Sequence, residues 1–376
     1  MRVKAAVLRE QGLEPPFAVS RPFVIGEVDL EEPGEDEVLV KVLAAGLCHS
    51  DLSTVQGQRK RNLPIVGGHE GAGEVIQVGR SVTELRPGDH VVMTAGNGCR
   101  NCKACRAGRP ALCQQISRVR AEGTLPNGLV RFSENGLKVH HYSAVSSFAQ
   151  YTVMMPSNLI KIDGDYPIDV AAMFGCAVVT GAGSIFNAAK VRPGDSVAIF
   201  GLGGVGLNAV MAGRIAGASR IIGIDINADK FALAKDLGCT HTLLSTDGSL
   251  VTKVRELTVG GADFAIEVSG NRAAMEAAID ITRVGAEVVC VGVAQSEARY
   301  DYPHTRLVVE EKVIRGSHFG SGRPDHDVPR YLEFFRDGRM PVDRLKSRVI
   351  ALEDINEALD HLLEGVAVRQ IILPHM

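Results

Sequence analysis

Four of the eight cysteines lie close together in the sequence, with a spacing that suits a metal ion. Two residues separate Cys99 from Cys102 and Cys102 from Cys105, and Cys113 follows after seven more. Disulfides are one explanation, but pairing within so short a segment requires awkward small loops. An iron–sulfur cluster is another, although the similar ferredoxin-type run has three residues in its last gap, not seven. Four thiolates around one tetrahedral ion explain the pattern best, so we expect a structural zinc site in a lobe at residues 96–114.

Three more metal-ligand types are scattered through the chain. Cys48 begins the run Cys-His-Ser-Asp, His69 lies in Gly-His-Glu-Gly, and Cys176 follows a glycine. Taken singly, a buried cysteine or histidine is more often a core residue than a ligand. Their chemistry therefore depends on whether the fold brings them together.

A glycine-rich motif indicates a nucleotide site. Gly201, Gly203 and Gly206 form G-x-G-x-x-G after a short apolar run. In this motif the first glycine makes a tight turn, the second lets a phosphate approach the backbone, and the third allows close packing of the helix. Asp225 follows Gly206 by nineteen residues, where a carboxylate can accept hydrogen bonds from ribose hydroxyls and repel a 2′-phosphate. Lys230 could reach the same ribose. The pattern predicts NAD as cofactor rather than NADP.

The elements that must position these residues change character along the chain. Up to about residue 175, short β-type runs alternate with Pro-Gly and other turn signals, which is typical of a mostly β domain. From residue 178, strands alternate with helical stretches, which predicts a parallel, doubly wound sheet. The predicted strands are 38–43, 73–78, 89–93, 196–200, 221–225, 264–268 and 287–293. The predicted helices are 205–216, 230–237, 275–282, 328–335 and 355–363.

Composition excludes several functional classes. The 376 residues include 41 basic and 44 acidic ones, so a net charge of −3 offers no bulk attraction for nucleic acid or an anionic membrane. No apolar run approaches the roughly 20 residues of a membrane helix. The N-terminus lacks the pattern of a signal peptide, which favours the cytoplasm.

Taken together, these motifs resemble the zinc-dependent alcohol dehydrogenases of the medium-chain dehydrogenase/reductase superfamily, in order and approximate spacing over essentially the whole chain. Residues 123–153 are similar to the long-form branch of animal and plant alcohol dehydrogenases and glutathione-dependent formaldehyde dehydrogenases. The resemblance implies an α/β architecture with a GroES-like, β-rich catalytic domain at residues 1–177 and 321–376. A Rossmann domain would occupy residues 178–320. It also implies a homodimer or homotetramer.

The same resemblance implies a second zinc ion in each chain, with an open coordination position for the substrate. Its protein ligands would be Cys48, His69 and Cys176. Ser50 matches the hydroxyl that begins a proton relay, Asp51 would orient the His69 ring, and Glu70 would lie behind the metal. The zinc would lower the pKa of an alcohol, and a hydride would pass to the nicotinamide.

Further cofactor contacts follow from the resemblance. Thr180 and Val205 match positions that hold the nicotinamide, whereas His49 and Arg369 match positions that contact the pyrophosphate. We therefore expect an NAD-dependent enzyme that reversibly oxidises a primary or aromatic alcohol. A dehydrogenase of thiol conjugates and a non-catalytic zinc- and nucleotide-binding redox sensor are the alternatives.

Three features depart from the family pattern. Ser53 occupies the position of a relay histidine, and Ser117 occupies that of an arginine that holds a glutathione carboxylate. The segment between the first two expected zinc ligands is unusually basic. Basic residues here and after the cysteine lobe suggest a substrate channel with positive potential and a preference for anionic alcohols; the alternative is a solvent-facing basic surface or cations that pair with nearby acidic residues. The basic residues concerned are Arg59, Lys60, Arg61, Arg118 and Arg120.

Overall fold

The chain folds as two units in the computed structural model, which describes residues 1–295 and 297–376. The first unit contains Met1–Cys176, Arg323–Glu333 and Val342–Met376. The second contains Ala177–Gly322 and Phe334–Pro341. Both ends of the chain therefore contribute to the first unit.

A closed barrel and a mixed sheet form the framework of the first unit. The barrel strands, in spatial order, are Arg2–Leu8, Phe23–Leu30, Phe132–Glu134, Leu137–His141 and Ile65–Val66. The sheet strands, in spatial order, are Leu159–Ile162, His90–Thr94, Glu70–Val78, Val38–Leu47, Arg369–Ile372 and Lys346–Ile350, and Tyr151–Met154 also pairs with Val38–Leu47. The helices that begin in this unit are Phe17–Ser20, His49–Val55, Lys103–Arg106, Gln114–Glu122, Ile168–Ala171, Pro324–Arg336 and Ile355–Leu363.

The strand Val38–Leu47 organises the expected metal site. Nearly all of its residues are buried, which explains why it is an almost continuous apolar run instead of an alternating one. It pairs antiparallel with Glu70–Val78 and with Arg369–Ile372. Its end therefore delivers Cys48 beside the start of the second strand, which follows His69, and beside Arg369 on the third.

A six-stranded parallel sheet forms the framework of the second unit. Its strands, in spatial order, are His241–Leu244, Arg220–Asp225, Ser196–Phe200, Ala262–Glu267, Thr282–Cys290 and Val313–Gly316. Numbered along the chain, this order is 3-2-1-4-5-6, the arrangement of a dinucleotide-binding fold. The helical segments are Ala177–Gly183, Ser184–Ala189, Gly204–Ala216, Phe231–Leu237, Leu250–Thr258, Arg272–Asp280 and His304–Val309.

Most predicted elements agree with the structure, and the predicted fold class is confirmed. The strand Ser196–Phe200 and the helix Ile355–Leu363 have the predicted bounds. The prediction for 287–293 was wrong at both ends, because the strand Thr282–Cys290 begins earlier and includes Gly285 in a left-handed conformation. The helix Gln114–Glu122, beside the cysteine lobe, was not predicted. Among the described residues, no single helix has both the length and the apolar composition to cross a membrane, and one bent pair of helical segments meets that criterion only jointly.

Candidate active site

The four-cysteine lobe forms a compact sulfur cluster. The Sγ atoms of Cys99, Cys102, Cys105 and Cys113 all lie within 4.8 Å of one another. All eight cysteines, which lie in the described part of the chain, are free thiols, so the disulfide alternative is wrong. Gly98 adopts φ +65°, and a Cβ there would lie 2.7 Å from the Cys105 sulfur, so the turn needs glycine. Four sulfur atoms that converge in this tight lobe form a structural zinc site.

A second ligand cluster lies in the first unit, although its members are far apart in sequence. The ligand atoms of Cys48, His69 and Cys176 lie within 4.8 Å of one another, and all three residues are buried. The His69 Nε2 atom is buried without a hydrogen-bond partner among the described residues. A buried polar atom of this kind requires a partner, and an ion held by two sulfurs and one imidazole supplies it. The donor set therefore fits zinc with three protein ligands and one open position.

The carboxylate of Asp51 supports two of these ligands at once. Its Oδ1 atom lies 3.1 Å from His69 Nδ1, and its Oδ2 atom accepts a hydrogen bond of 3.0 Å from the backbone N–H of Cys48. The residue occupies the first turn of the helix His49–Val55 and is 2% exposed. A buried carboxylate on Nδ1 keeps the hydrogen on that nitrogen and leaves the Nε2 lone pair available to a metal.

Glu70 and Arg369 form a buried ion pair next to the ligands. Arg369 Nη2 lies 2.8 Å and 3.0 Å from the two carboxylate oxygens, and the guanidinium also donates to the Leu47 carbonyl at 3.1 Å. Burial raises the pKa of Glu70 to about 7, while the positive charge of Arg369 opposes that shift. Arg369 was expected to contact the cofactor pyrophosphate. Its guanidinium instead contacts Glu70 and Leu47 in this structure, and the pyrophosphate contact stays a prediction.

The hydroxyl of Ser50 has a cationic neighbour. Arg59 Nη1 donates a hydrogen bond of 3.1 Å to Ser50 Oγ. The Tyr142 hydroxyl donates to the Ser50 carbonyl at 3.2 Å and lies 2.7 Å from Thr54 Oγ1. The centre of the Tyr142 ring also lies 5.7 Å from that of the His69 ring, so Tyr142 contacts both the Ser50 backbone and one of the metal ligands. No sequence pattern indicated Tyr142, because it lies 92 residues from Ser50.

The basic residues expected around a substrate channel separate into two groups. Lys60 and Arg118 are exposed, and Arg118 pairs with Glu122 at 3.8 Å. Arg59, Arg61 and Arg120 are partly buried instead. The two groups therefore differ in exposure, and the expectation that all five act together stays a prediction.

The glycine-rich motif of the second unit has the geometry of a phosphate-binding turn. Gly201 adopts φ +96°, and a Cβ on Gly206 would lie 1.8 Å from the Gly201 carbonyl oxygen. A Cβ on Gly203 would meet no described atom within 4 Å, so open space adjoins the backbone there. Gly203 precedes the helix Gly204–Ala216 and gives its N-terminus no side-chain cap. Free N–H groups beside open space fit the pyrophosphate of a dinucleotide.

Asp225 lies at the end of the strand next to this turn. Its Oδ2 atom accepts a hydrogen bond of 2.6 Å from Leu202 N, and its Oδ1 atom accepts one of 2.9 Å from Asn227 N. Lys230 Nζ lies 3.2 Å from the carboxylate, so the two residues expected at the same ribose are neighbours. The arrangement is compatible with a carboxylate that binds ribose hydroxyls.

The structure does not test the roles of the other expected cofactor residues. His49 is exposed at the first position of the helix His49–Val55. Thr180 is half-buried on the helix Ala177–Gly183, and Val205 is half-buried in the first turn of Gly204–Ala216. Their roles stay predictions.

The fold and the two metal clusters define a zinc-dependent oxidoreductase of the alcohol dehydrogenase type. The model of the alcohol dehydrogenase GroES-like domain matches residues 34–164, and that of the zinc-binding dehydrogenases matches residues 204–337. The S-(hydroxymethyl)glutathione dehydrogenase of Paracoccus denitrificans is 36% identical, over 99% of this chain and 100% of that protein. The chain belongs to the zinc-dependent alcohol dehydrogenases of the medium-chain dehydrogenase/reductase superfamily.

Two solved structures share both units. An alcohol dehydrogenase zinc-binding domain protein from Burkholderia ambifaria has a TM-score of 0.93 and 37% identity, with all of both chains covered. A benzyl alcohol dehydrogenase from Acinetobacter calcoaceticus has a TM-score of 0.92 and 33% identity, with 99% of each chain covered. These similarities confirm the predicted family and architecture.

Proposed function

We propose that the protein catalyses the reversible oxidation of a primary or aromatic alcohol to its aldehyde, with NAD as hydride acceptor. The observation that carries the proposal is the three-ligand cluster of Cys48, His69 and Cys176, which leaves a fourth position open. A closed structural site would use four protein ligands, as the cysteine lobe does. When bound, zinc lowers the pKa of an alcohol hydroxyl, and NAD accepts the hydride that leaves the alcohol carbon.

The residues around the cluster orient its ligands and move the proton. Asp51 fixes the tautomer of His69, so that the Nε2 lone pair would be available to the ion. Ser50 is the hydroxyl that takes the proton of the alcohol. Arg59, which donates to Ser50 Oγ, cannot accept that proton because a guanidinium stays charged. The proton therefore leaves Ser50 to water, which agrees with a serine in place of histidine at position 53.

Use of NAD is supported by Asp225 and by the open space next to Gly203. A buried carboxylate at the end of this strand favours ribose hydroxyls and repels the 2′-phosphate of NADP. The benzyl alcohol dehydrogenase among the similar structures supports the aromatic alcohol as substrate.

A thiol-conjugate dehydrogenase is the second candidate function. It is favoured by the relative from Paracoccus denitrificans, whose name states that it acts on S-(hydroxymethyl)glutathione. Against it, Ser117 occupies the position at which that branch has an arginine. Comparing NADH formation with benzyl alcohol and with S-(hydroxymethyl)glutathione separates the two candidates.

The variant Cys176→Ala tests the function of the three-ligand site. We expect a folded protein with one zinc ion instead of two and almost no turnover, because only the four-cysteine ion remains. The control is Cys290→Ala, since Cys290 lies outside both clusters. Zinc content, circular dichroism and NADH formation are the measurements. Turnover that survives in Cys176→Ala would contradict the proposal, and wild type that binds two zinc ions but oxidises no alcohol would favour a redox sensor.

A further inference from the structure

Three arginines approach the site from one side. Arg59 contacts the Ser50 hydroxyl at 3.1 Å. The Arg61 guanidinium lies 5.4 Å from the centre of the Tyr142 ring, whose other neighbour is the His69 ring. Burial and the charges of Arg61 and Arg59 lower the pKa of Arg120 to about 10. The charges of Arg59 and Arg61 therefore both act on Arg120, whose Nη2 atom donates a hydrogen bond of 3.2 Å to the Ala95 carbonyl.

Two of these arginines, Arg59 and Arg61, have no carboxylate counter-charge within the described part of the chain. Their hydrogen bonds go to a hydroxyl and to a backbone carbonyl, the latter from Arg61 Nη1 to the Lys60 oxygen at 3.0 Å. Among the residues that the structure describes, none forms a hydrogen bond with the buried Arg61 Nε atom. Partly buried like charges repel one another, so an anion bound among them would lower the cost of the cluster.

We infer that Arg59, Arg61 and Arg120 form a subsite for a carboxylate on the alcohol substrate. The inference rests on the proposed function, because the subsite adjoins the hydroxyl that takes the proton of the alcohol. It names the substrate class as primary alcohols that carry a carboxylate.

The geometry of the cluster favours an oxyanion over a neutral polar group. A guanidinium presents parallel N–H groups that bind both oxygens of a carboxylate, and the bond is stronger when both partners are charged. Arg61 lies over the face of the Tyr142 ring, and this contact reduces the number of orientations that its guanidinium loses on binding. The carboxylate could belong to a simple hydroxy acid or to a thiol conjugate such as S-(hydroxymethyl)glutathione, and the two are distinguished below.

The test compares two substrates that differ mainly in charge. These are 4-(hydroxymethyl)benzoate and 4-(hydroxymethyl)benzamide, assayed with wild type, Arg61→Gln and Arg120→Gln. We expect wild type to prefer the benzoate in kcat/KM by about tenfold or more, and each variant to lower that ratio by about tenfold. Arg61→Lys should recover part of the preference because it keeps the charge but loses the planar fork. Raising the salt concentration should lower kcat/KM for the benzoate more than for the benzamide.

Lys60→Gln and Arg118→Gln are the matched controls. Each removes one exposed positive charge from the same two segments, and we expect the substrate ratio to stay as in wild type. If these controls lower the ratio as much as Arg61→Gln does, general surface charge explains the preference and the subsite is refuted. The result for Arg120→Gln is used only if circular dichroism shows that this variant is folded. If it is not folded, Arg61→Gln tests the inference.

The remaining outcomes separate the inference from the proposed function. Equal kcat/KM for benzoate and benzamide, unchanged in Arg61→Gln, overturns the subsite while the alcohol dehydrogenase activity stands. If only S-(hydroxymethyl)glutathione is oxidised, and Arg61→Gln lowers its kcat/KM about tenfold, the subsite is supported and its carboxylate comes from a thiol conjugate. If that substrate is oxidised equally well by Arg61→Gln, the subsite is refuted. No oxidation of any alcohol, including benzyl alcohol, by wild type with two zinc ions refutes the proposed function itself.

Discussion

Replacing Asp51 by asparagine should weaken zinc binding at the three-ligand site. The carboxylate contacts two hydrogen-bond donors, at 3.1 Å on His69 and 3.0 Å on Cys48. An amide oxygen can face only one of them, so the other donor meets an NH₂ group and loses its acceptor. Loss of such a supporting group typically costs 10–100-fold in metal affinity, or about 1.4–2.7 kcal/mol. The change also removes the negative charge that favours the metal-binding tautomer.

Chelator competition with zinc analysis measures this effect directly. We expect Asp51→Asn to release its first zinc ion at a 10–100-fold lower chelator concentration than wild type, with turnover lost in parallel. The zinc ion of the four-cysteine lobe is an internal reference and should be released as in wild type. Asp36→Asn, which changes an exposed carboxylate in the same unit, is the matched control. Equal release from Asp51→Asn and wild type would show that Asp51 does not support the metal site.

Two further predictions concern the cofactor and the stability of the fold. Asp225→Ser should raise the KM for NAD and narrow the preference of the enzyme for NAD over NADP. The reason is that the repulsion of the 2′-phosphate disappears and Lys230 loses its ion-pair partner. A wild type that already prefers NADP would refute the role of Asp225. His141 is fully buried, and burial, with the charges of His140 and Arg131, lowers its pKa from 6.5 to about 3. The unfolded chain therefore takes up a proton below about pH 6.5 that the native chain does not, and between pH 7 and pH 5 this difference should lower the free energy of unfolding by about 2 kcal/mol. Denaturant titrations of wild type and His141→Gln should show a shallower pH dependence in the variant, and equal slopes would count against this assignment.

Motifs whose chemistry is local could be predicted from the sequence. The four cysteines lie within fifteen positions, so their spacing alone indicates a shared ion. The glycine motif is equally local, since Gly206 is needed because of the Gly201 carbonyl five residues earlier. In both cases the residues that depend on one another lie within one turn or lobe, so their spacing in the sequence shows the relation directly.

Contacts made by strand pairing could not be predicted in the same way. Glu70 and Arg369 are 299 residues apart and meet only because Gln370 pairs with Leu47 in the sheet. The hydrogen bond from Arg59 to Ser50 crosses the end of a short helix, and a basic run in the sequence does not show which of its members turns inwards. The resemblance to a family supplied the ligands Cys48, His69 and Cys176, but not these partners.

The Glu70–Arg369 pair shows why the three-ligand site needs residues from the far end of the chain. Two thiolates and the Glu70 carboxylate would place three negative charges in a buried space, and the charge of Cys48 indeed raises the pKa of Glu70. The positive charge of Arg369 acts in the opposite direction on both Glu70 and Cys48. A buried ion pair is costly to desolvate, and it persists here because the guanidinium also bonds the Leu47 carbonyl, directly before the first ligand. The strand Arg369–Ile372 thus contributes both a sheet neighbour and the counter-charge of the site, and the metal ligands depend on it although none of them belongs to it.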